Sequence, residues 1–262
     1  MTSTAELPWL LPAFAALVGL VWGSFLNVVI HRVPLGESIV TPRSRCPSCR
    51  SLVASYDNIP VLSYVVLRGR CRSCGARISF RYAAVELAMG AASLFSFLRH
   101  GPSLEYVVEF AFVAAMVALI FIDFDHQILP DRITLSGLVV GLVLAWPRDV
   151  ITLPDAAKGA ALGAGALFFV SEAYFRLKHV EGMGFGDVKM MGMVGAFVGW
   201  KGVLLTLFLG SLTGSVVGII VIQRSGGDLK TKLPFGTFLG VGAIVTIYAG
   251  APLIAWYSGQ FG

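Results

Sequence analysis

Long apolar runs govern what this chain can fold into. Eight of them fall at approximately residues 8–30, 83–99, 104–124, 132–147, 155–175, 188–200, 202–222 and 235–258. About 20 such residues cross the hydrocarbon of a bilayer as a helix. Inside lipid a helix is also the simple way to satisfy every backbone N–H and C=O within one segment. The expected fold class is therefore an all-α polytopic membrane protein with about eight transmembrane helices. The composition agrees: 13% of residues are charged and the mean hydropathy is +0.79, against roughly 25% charged in a soluble domain. The runs at 132–147 and 188–200 are short for a full crossing, which predicts a locally thinned membrane or helices broken near a site.

The net charge of +5 is not spread as a nucleic-acid footprint. Nine arginines (Arg32, Arg43, Arg45, Arg50, Arg68, Arg70, Arg72, Arg77 and Arg81) lie between the first two runs, and the connections alternating with that one bring the set to sixteen of the twenty basic residues. The opposite set holds only Arg99, Arg148, Lys158 and Lys201. Basic residues mark cytoplasmic loops, so both termini are expected outside and no nucleic-acid partner is expected. Residues 1–9 carry Glu6 and no basic residue, which lacks the start of a secretory signal and fits an uncleaved anchor.

Residues 34–81 form the one sizeable hydrophilic insertion, and they contain all four cysteines as Cys46-Pro47-Ser48-Cys49 and Cys71-Arg72-Ser73-Cys74. Paired C-x-x-C knuckles at this spacing match a tetrahedral four-thiolate zinc site. A reducing cytoplasm disfavours the alternative of two disulfides. With four protein ligands there is no open position for water, so the zinc is expected to be structural. The surrounding arginines either stay solvated against anionic membrane lipid or receive a ligand or partner chain.

Acidic residues inside apolar runs are expensive, and they persist mainly where they have a role. Asp123 lies within the third run, in Ile122-Asp123-Phe124-Asp125, and Asp187 ends Gly182-Met183-Gly184-Phe185-Gly186-Asp187. Alternating glycines leave a flexible backbone that lets Asp187 swing towards Asp123. We expect these two to form an aspartyl protease pair at a membrane surface. Asp125 is about 200° further round a helix than Asp123 and cannot face the same partner while the helix continues. Asp131 reads as the N-cap of the next helix, and an N-cap is also the structural alternative for Asp187. Lys189 either favours the ionised state of Asp187, anchors a substrate carboxylate, or snorkels. Gly23, Asn27 and His31 recur every four residues and share a helical face, either as packing glue or with Asn27 or His31 at a ligand. Glu86, about one turn inside its run, pairs with Arg77 or Arg81 or holds a cationic group. Pro234 in Leu233-Pro234-Phe235-Gly236-Thr237 reads as the start of the last helix.

Together these segments resemble the type IV prepilin peptidases, a bifunctional leader peptidase and N-methyltransferase family of GxGD membrane aspartyl proteases. The likeness is carried by Gly-Ser-Phe-Leu-Asn-Val-Val-Ile-His-Arg at 23–32, the paired knuckles, Ile-Ser-Phe-Arg-Tyr at 78–82, Ile-Asp-Phe-Asp at 122–125 with Leu-Pro-Asp at 129–131, Gly-Phe-Gly-Asp-Val-Lys at 184–189, and Leu-Pro-Phe-Gly at 233–236. The resemblance implies Asp123 and Asp187 as the catalytic pair. It implies a multi-pass protein of the bacterial inner membrane that cuts the basic leader of prepilins or pseudopilins after a glycine at the cytoplasmic face. It implies S-adenosylmethionine as methyl donor; no motif marks where the donor is held, and Asn27, Glu86 and the arginine-rich loop are the candidates. The chain then divides into a first transmembrane helix (1–33), a four-cysteine zinc loop (34–81) and a protease core (82–262). The alternatives are an ion- or proton-coupled transporter using Asp123, Asp187 and Glu86 as a relay, and a peptidase lacking the methyltransferase.

Overall fold

The structure is a computed structural model that describes residues 9–148, 150–180, 183–224 and 233–259. Gly182 of the glycine motif, and Lys230 and Lys232 of the basic set, lie outside the described residues. Among the described residues the chain is helical, with two isolated antiparallel bridges and no longer strand. It divides into two compact units, Met1–Ala114 and Ala115–Gly262.

The first unit holds α1 (Leu10–Arg32), a 3-10 turn (Ser55–Asn58), the short α2 (Leu62–Val66), α3 (Phe80–His100) and the start of α4 (Leu104–His126). Helices α1 and α3 are antiparallel in a register set by small residues. A Cβ on Gly19 would lie 2.8 Å from Cα of Gly90, and one on Gly23 would lie 2.6 Å from Cα of Glu86. One turn further, the side-chain amide of Asn27 donates to the carbonyl of Tyr82 at 3.0 Å. The next step of four pairs His31 with Ile78, ahead of the first residue of α3. That is why His31 is exposed and does not extend the stripe. Arg32 is buried instead, because the chain beyond α1 folds back and its guanidinium donates to the carbonyls of Ser38 and Pro42 at 2.9 and 2.7 Å.

The second unit contains the end of α4, α5 (Asp131–Leu144), α6 (Leu153–Lys178), α7 (Phe185–Arg224) and α8 (Phe235–Gly259). Helix α7, 40 residues long, is interrupted at Gly199, whose φ of 68° and ψ of 179° are open only to glycine. In an unbroken helix Met190 and Gly210 would be about 30 Å apart. Both instead touch one turn of α8: Met190 reaches the Cβ position of Gly240 at 3.3 Å, and that of Gly210 is 3.1 Å from Cα of Leu239. The chain therefore reverses at Gly199, and the runs at 188–200 and 202–222 are the two arms of α7. The first arm packs on α6 backbone to backbone, Gly159 against Gly195 and Gly163 against Met191.

Five helices, α1, α4, α6, α7 and α8, are long and apolar enough to cross a membrane by length and composition. The eight runs thus map onto seven helices. Helix α5 has 14 residues, about 21 Å, against a hydrocarbon core of ~30 Å. Helix α3 carries Arg81, Glu86 and Arg99 in its 21 residues.

Candidate active site

One helix end and two helix starts meet around a small gap in the second unit. Helix α4 brings Asp123 one turn from its C-terminus, α7 brings Asp187 in its first turn, and α8 opens beside both with Phe235, Gly236 and Thr237. Asp123 and Asp187 are 5% and 7% exposed, so neither is an ordinary solvated surface carboxylate. A Cβ placed on Gly236 would meet Oδ2 of Asp123 at 3.0 Å, Oδ1 of Asp187 at 3.1 Å and Cδ1 of Leu129 at 2.9 Å. One methyl group there would touch both acids. They are thus neighbours across a space of atomic size, although 64 positions separate them in sequence.

Their hydrogen bonding differs. Oδ2 of Asp123 accepts from the backbone N–H of Thr237 at 2.7 Å and lies 3.1 Å from its hydroxyl. The N–H is one of those that the first turn of a helix leaves without an intrahelical partner, which suits it to an anionic oxygen. Oδ1 of Asp187 is buried and has no hydrogen-bond donor among the described residues.

The remaining charged residues sort differently from the sequence expectation. Asp187 is not an N-cap on a loose loop: α7 already starts at Phe185, and the Asp187 N–H donates to the carbonyl of Gly184 at 3.1 Å. The helix fixes its position, where the glycines had suggested a swing. Asp131 is the first residue of α5 and Pro130 its N-cap. The carboxylate of Asp131 instead holds Lys189 at 2.7 and 2.9 Å, and the same ammonium lies 5.3 Å from the centroid of the Phe185 ring. Lys189 therefore ties the start of α7 to the start of α5 and is not bonded to Asp187. Asp125 is exposed, as its position on a continuous helix requires.

In the first unit the four cysteine sulfurs lie within 4.8 Å of one another, with Cys46 to Cys74 at 3.9 Å and Cys49 to Cys71 at 4.0 Å, and none forms a disulfide. A tetrahedral ion with metal–sulfur bonds of about 2.3 Å requires sulfur–sulfur edges of about 3.8 Å. The donor set therefore fits a metal ion. Each knuckle closes in the same way: Cys46 N–H to Ser51 and Arg50 N–H to Cys46, then Cys71 N–H to Ala76 and Gly75 N–H to Cys71. Backbone N–H groups of Cys74 and Ser73 point at the Cys71 sulfur and lower its pKa to about 6, which prepares a thiolate. Arg72 of the second knuckle grips Asp57 with two nitrogens at 2.6 and 2.8 Å.

Asn27 and Glu86 are buried one turn apart along the α1–α3 contact. Asn27 binds Tyr82, and Glu86 accepts from the hydroxyl of Ser24 and, at 2.7 Å, from the backbone N–H of Val61. Val61 has a φ of 61°, a strained conformation for a β-branched residue, so Glu86 fastens a strained corner of the insertion to α3. Gly236 and Thr237 escaped the sequence reading as site residues. Their motif was visible as a helix start, but proximity to Asp123 is a tertiary property without local periodicity.

With this geometry in view, comparison with known proteins is decisive. Residues 17–100 match the Bacterial Peptidase A24 N-terminal domain, and residues 110–219 match the Type IV leader peptidase family. A prepilin leader peptidase/N-methyltransferase of Pseudomonas putida is 35% identical over 263 residues, covering 92% of this chain and 91% of that protein. The chain belongs to the prepilin leader peptidase/N-methyltransferase family. The relative from Legionella pneumophila is 31% identical, with 97% of this chain and 96% of its own length aligned. The one from Myxococcus xanthus is 43% identical over 217 residues; the match covers 83% of this chain and 65% of that protein. No solved structure gives a significant match.

Proposed function

We propose that this chain is a membrane aspartyl endopeptidase that removes the basic leader of type IV prepilins and pseudopilins, and that it then N-methylates the residue so exposed. The observation that carries the peptidase reading is the meeting of Asp123 and Asp187 at the bare backbone of Gly236. Two carboxyl groups this close do not both remain ionised; they hold one proton between them and titrate as a pair. The ionised partner takes a proton from water as its oxygen attacks the scissile carbonyl carbon. The protonated partner gives its proton to the carbonyl oxygen. On collapse the C–N bond breaks, the proton taken from water passes to the leaving nitrogen, and the diol returns the other. Acid–base assistance of this kind supplies about 10²–10⁴-fold in rate. Seating the bond in a site largely closed to water strengthens the electrostatic part.

Several features support a cytoplasmic orientation in the inner membrane, with both termini outside. Sixteen of twenty basic residues lie on one set of connections, and Asp123 and Asp187 stand at the ends of their helices on that same side. The prepilin's apolar segment then stays in lipid while its leader remains in water. We take the metal of the cysteine cluster to be zinc with a structural role, since all four ligands come from the protein. The chain accordingly reads as a first helix (1–33), a zinc loop (34–81) and a protease core (82–262). S-adenosylmethionine, when bound, supplies an electrophilic methyl group to the newly freed amine. Asn27 and Glu86 remain our candidates for its site, because a buried carboxylate beside an amide suits a sulfonium cation.

The test is direct. Purified protein incubated with a prepilin peptide, with and without S-adenosylmethionine, is expected to yield the shortened peptide in both cases and its methylated form only with the donor, as read by mass spectrometry. Asp123→Asn and Asp187→Asn are each expected to abolish cleavage. Full activity in either variant removes that residue from the pair.

A further inference from the structure

Thr237 gives the two aspartates unequal surroundings. Its N–H donates to Oδ2 of Asp123, and its hydroxyl lies 3.1 Å from that oxygen and 3.2 Å from the carbonyl of Ile120. Oδ1 of Asp187 meets no donor among the described residues. Helix dipoles do not single out Asp123 as the anion: Asp187 sits in the first turn of α7 and Asp123 faces the first turn of α8, both positive helix ends, while Asp123 also stands one turn from the negative end of its own α4. Nor do nearby charges. Lys189 is engaged by Asp131, Asp125 and His126 lie at the exposed end of α4, and α8 has no charged side chain among its described residues. The donors are what favour Asp123 as the anion, and hydrogen bonds to an ionised acceptor are roughly twice as strong as neutral ones.

Building on the dyad described above, we propose that Thr237 is a positioning residue that assigns the two roles, holding Asp123 as the ionised base and leaving Asp187 to carry the proton. Asp123 then accepts the proton of the attacking water, while Asp187 protonates the carbonyl oxygen. The hydroxyl of Thr237 has one hydrogen and two acceptors within reach. It serves Asp123 while that group is anionic. When Asp123 has taken its proton, the hydroxyl turns to the carbonyl of Ile120. The rotor thus follows the charge through the cycle without leaving a donor unpaired.

Two Thr237 variants, and a spectroscopic measurement on the two Asn variants, test this on the full chain in detergent or liposomes, with a synthetic prepilin peptide as substrate. Thr237→Val removes the hydroxyl at nearly constant volume. It is expected to move the acid limb of the kcat/KM profile up by about one pH unit, a roughly tenfold loss on the acid side. Thr237→Ser keeps the donor and is expected to keep the parental limb. A merely structural role in joining α8 to α4 lowers activity equally at every pH; a uniform loss with an unmoved limb overturns the proposal. Should Thr237→Val fail to fold, infrared spectra of the Asn variants decide. At neutral pH the carboxylic-acid C=O band is expected to lose intensity in Asp187→Asn and to be unchanged in Asp123→Asn. The reverse pattern, or equal loss in both, overturns the assignment of roles. These outcomes are distinct from failure of the dyad itself, which is signalled by cleavage surviving either Asn substitution.

Discussion

Gly236 acts through the side chain it lacks. Its backbone runs so close to the acids that a single added methyl group would overlap an oxygen of each, along with Leu129. Gly236→Ala is therefore expected to push the carboxylates apart or occupy the room needed by water. Displacements near 1 Å at a reacting centre cost about 10²-fold in rate; the contacts here call for smaller shifts, so a loss of up to about that size in kcat/KM is expected while the melting temperature changes little. Wild-type cleavage by this variant would mean that the gap beside Gly236 is not where the reaction occurs. Asp123 and Asp187 stood out in the sequence as candidates, the one as an acid inside an apolar run and the other as the acid that closes a glycine motif at the head of one. Gly236, Thr237 and the Lys189–Asp131 pair were not, because nothing in a linear pattern says which helix ends will meet. The expected N-cap at Asp131 was displaced by an interaction 58 residues away.

At the scale of elements, α6 offers a comparison within one helix. A Cβ on Gly159 would strike the backbone of α7 at Gly195 and Gly199, whereas one on Gly165 would meet nothing within 4 Å. Backbone cannot rotate aside as a side chain does, so Gly159→Val is expected to destabilise the protein by about 2–3 kcal/mol, as overpacking typically does. It is expected to reduce cleavage as well, because the displaced arm carries Asp187. Gly165→Ala is expected to be neutral or to stabilise by up to about 1 kcal/mol through helix propensity. Thermal unfolding in one detergent measures both, and equal effects would refute the packing account. The glycine spacing of α6 announced close approach but not its partner. The α1–α3 stripe was likewise half legible: Gly23 and Asn27 follow the four-residue step, and His31 leaves it because α3 begins too late to receive it. The break in α7 was readable as two separate runs, the first of them short, while the single residue that reverses the chain was not.

For the whole molecule, the cysteine cluster belongs to the first compact unit and the paired acids to the second. A structural metal site contributes folding free energy directly, about 10–16 kcal/mol in small zinc domains. Stripping the metal with a strong chelator is expected to open residues 34–81 to trypsin at their arginines while the helices of the second unit stay protected. Fragment masses from limited digestion read this out, and an insertion that resists trypsin without metal would contradict it. The reversal at Gly199 has a consequence on the same scale. The arm from residue 185 to residue 198 is a spacer about 21 Å long, so the distance of Asp187 from the turn is a ruler reading, set by residue count. Inserting one helical turn ahead of Gly199 would shift that reading by about 5.4 Å, past the partner held on α4. The incoming polypeptide must accordingly present its cleavable bond at one fixed height.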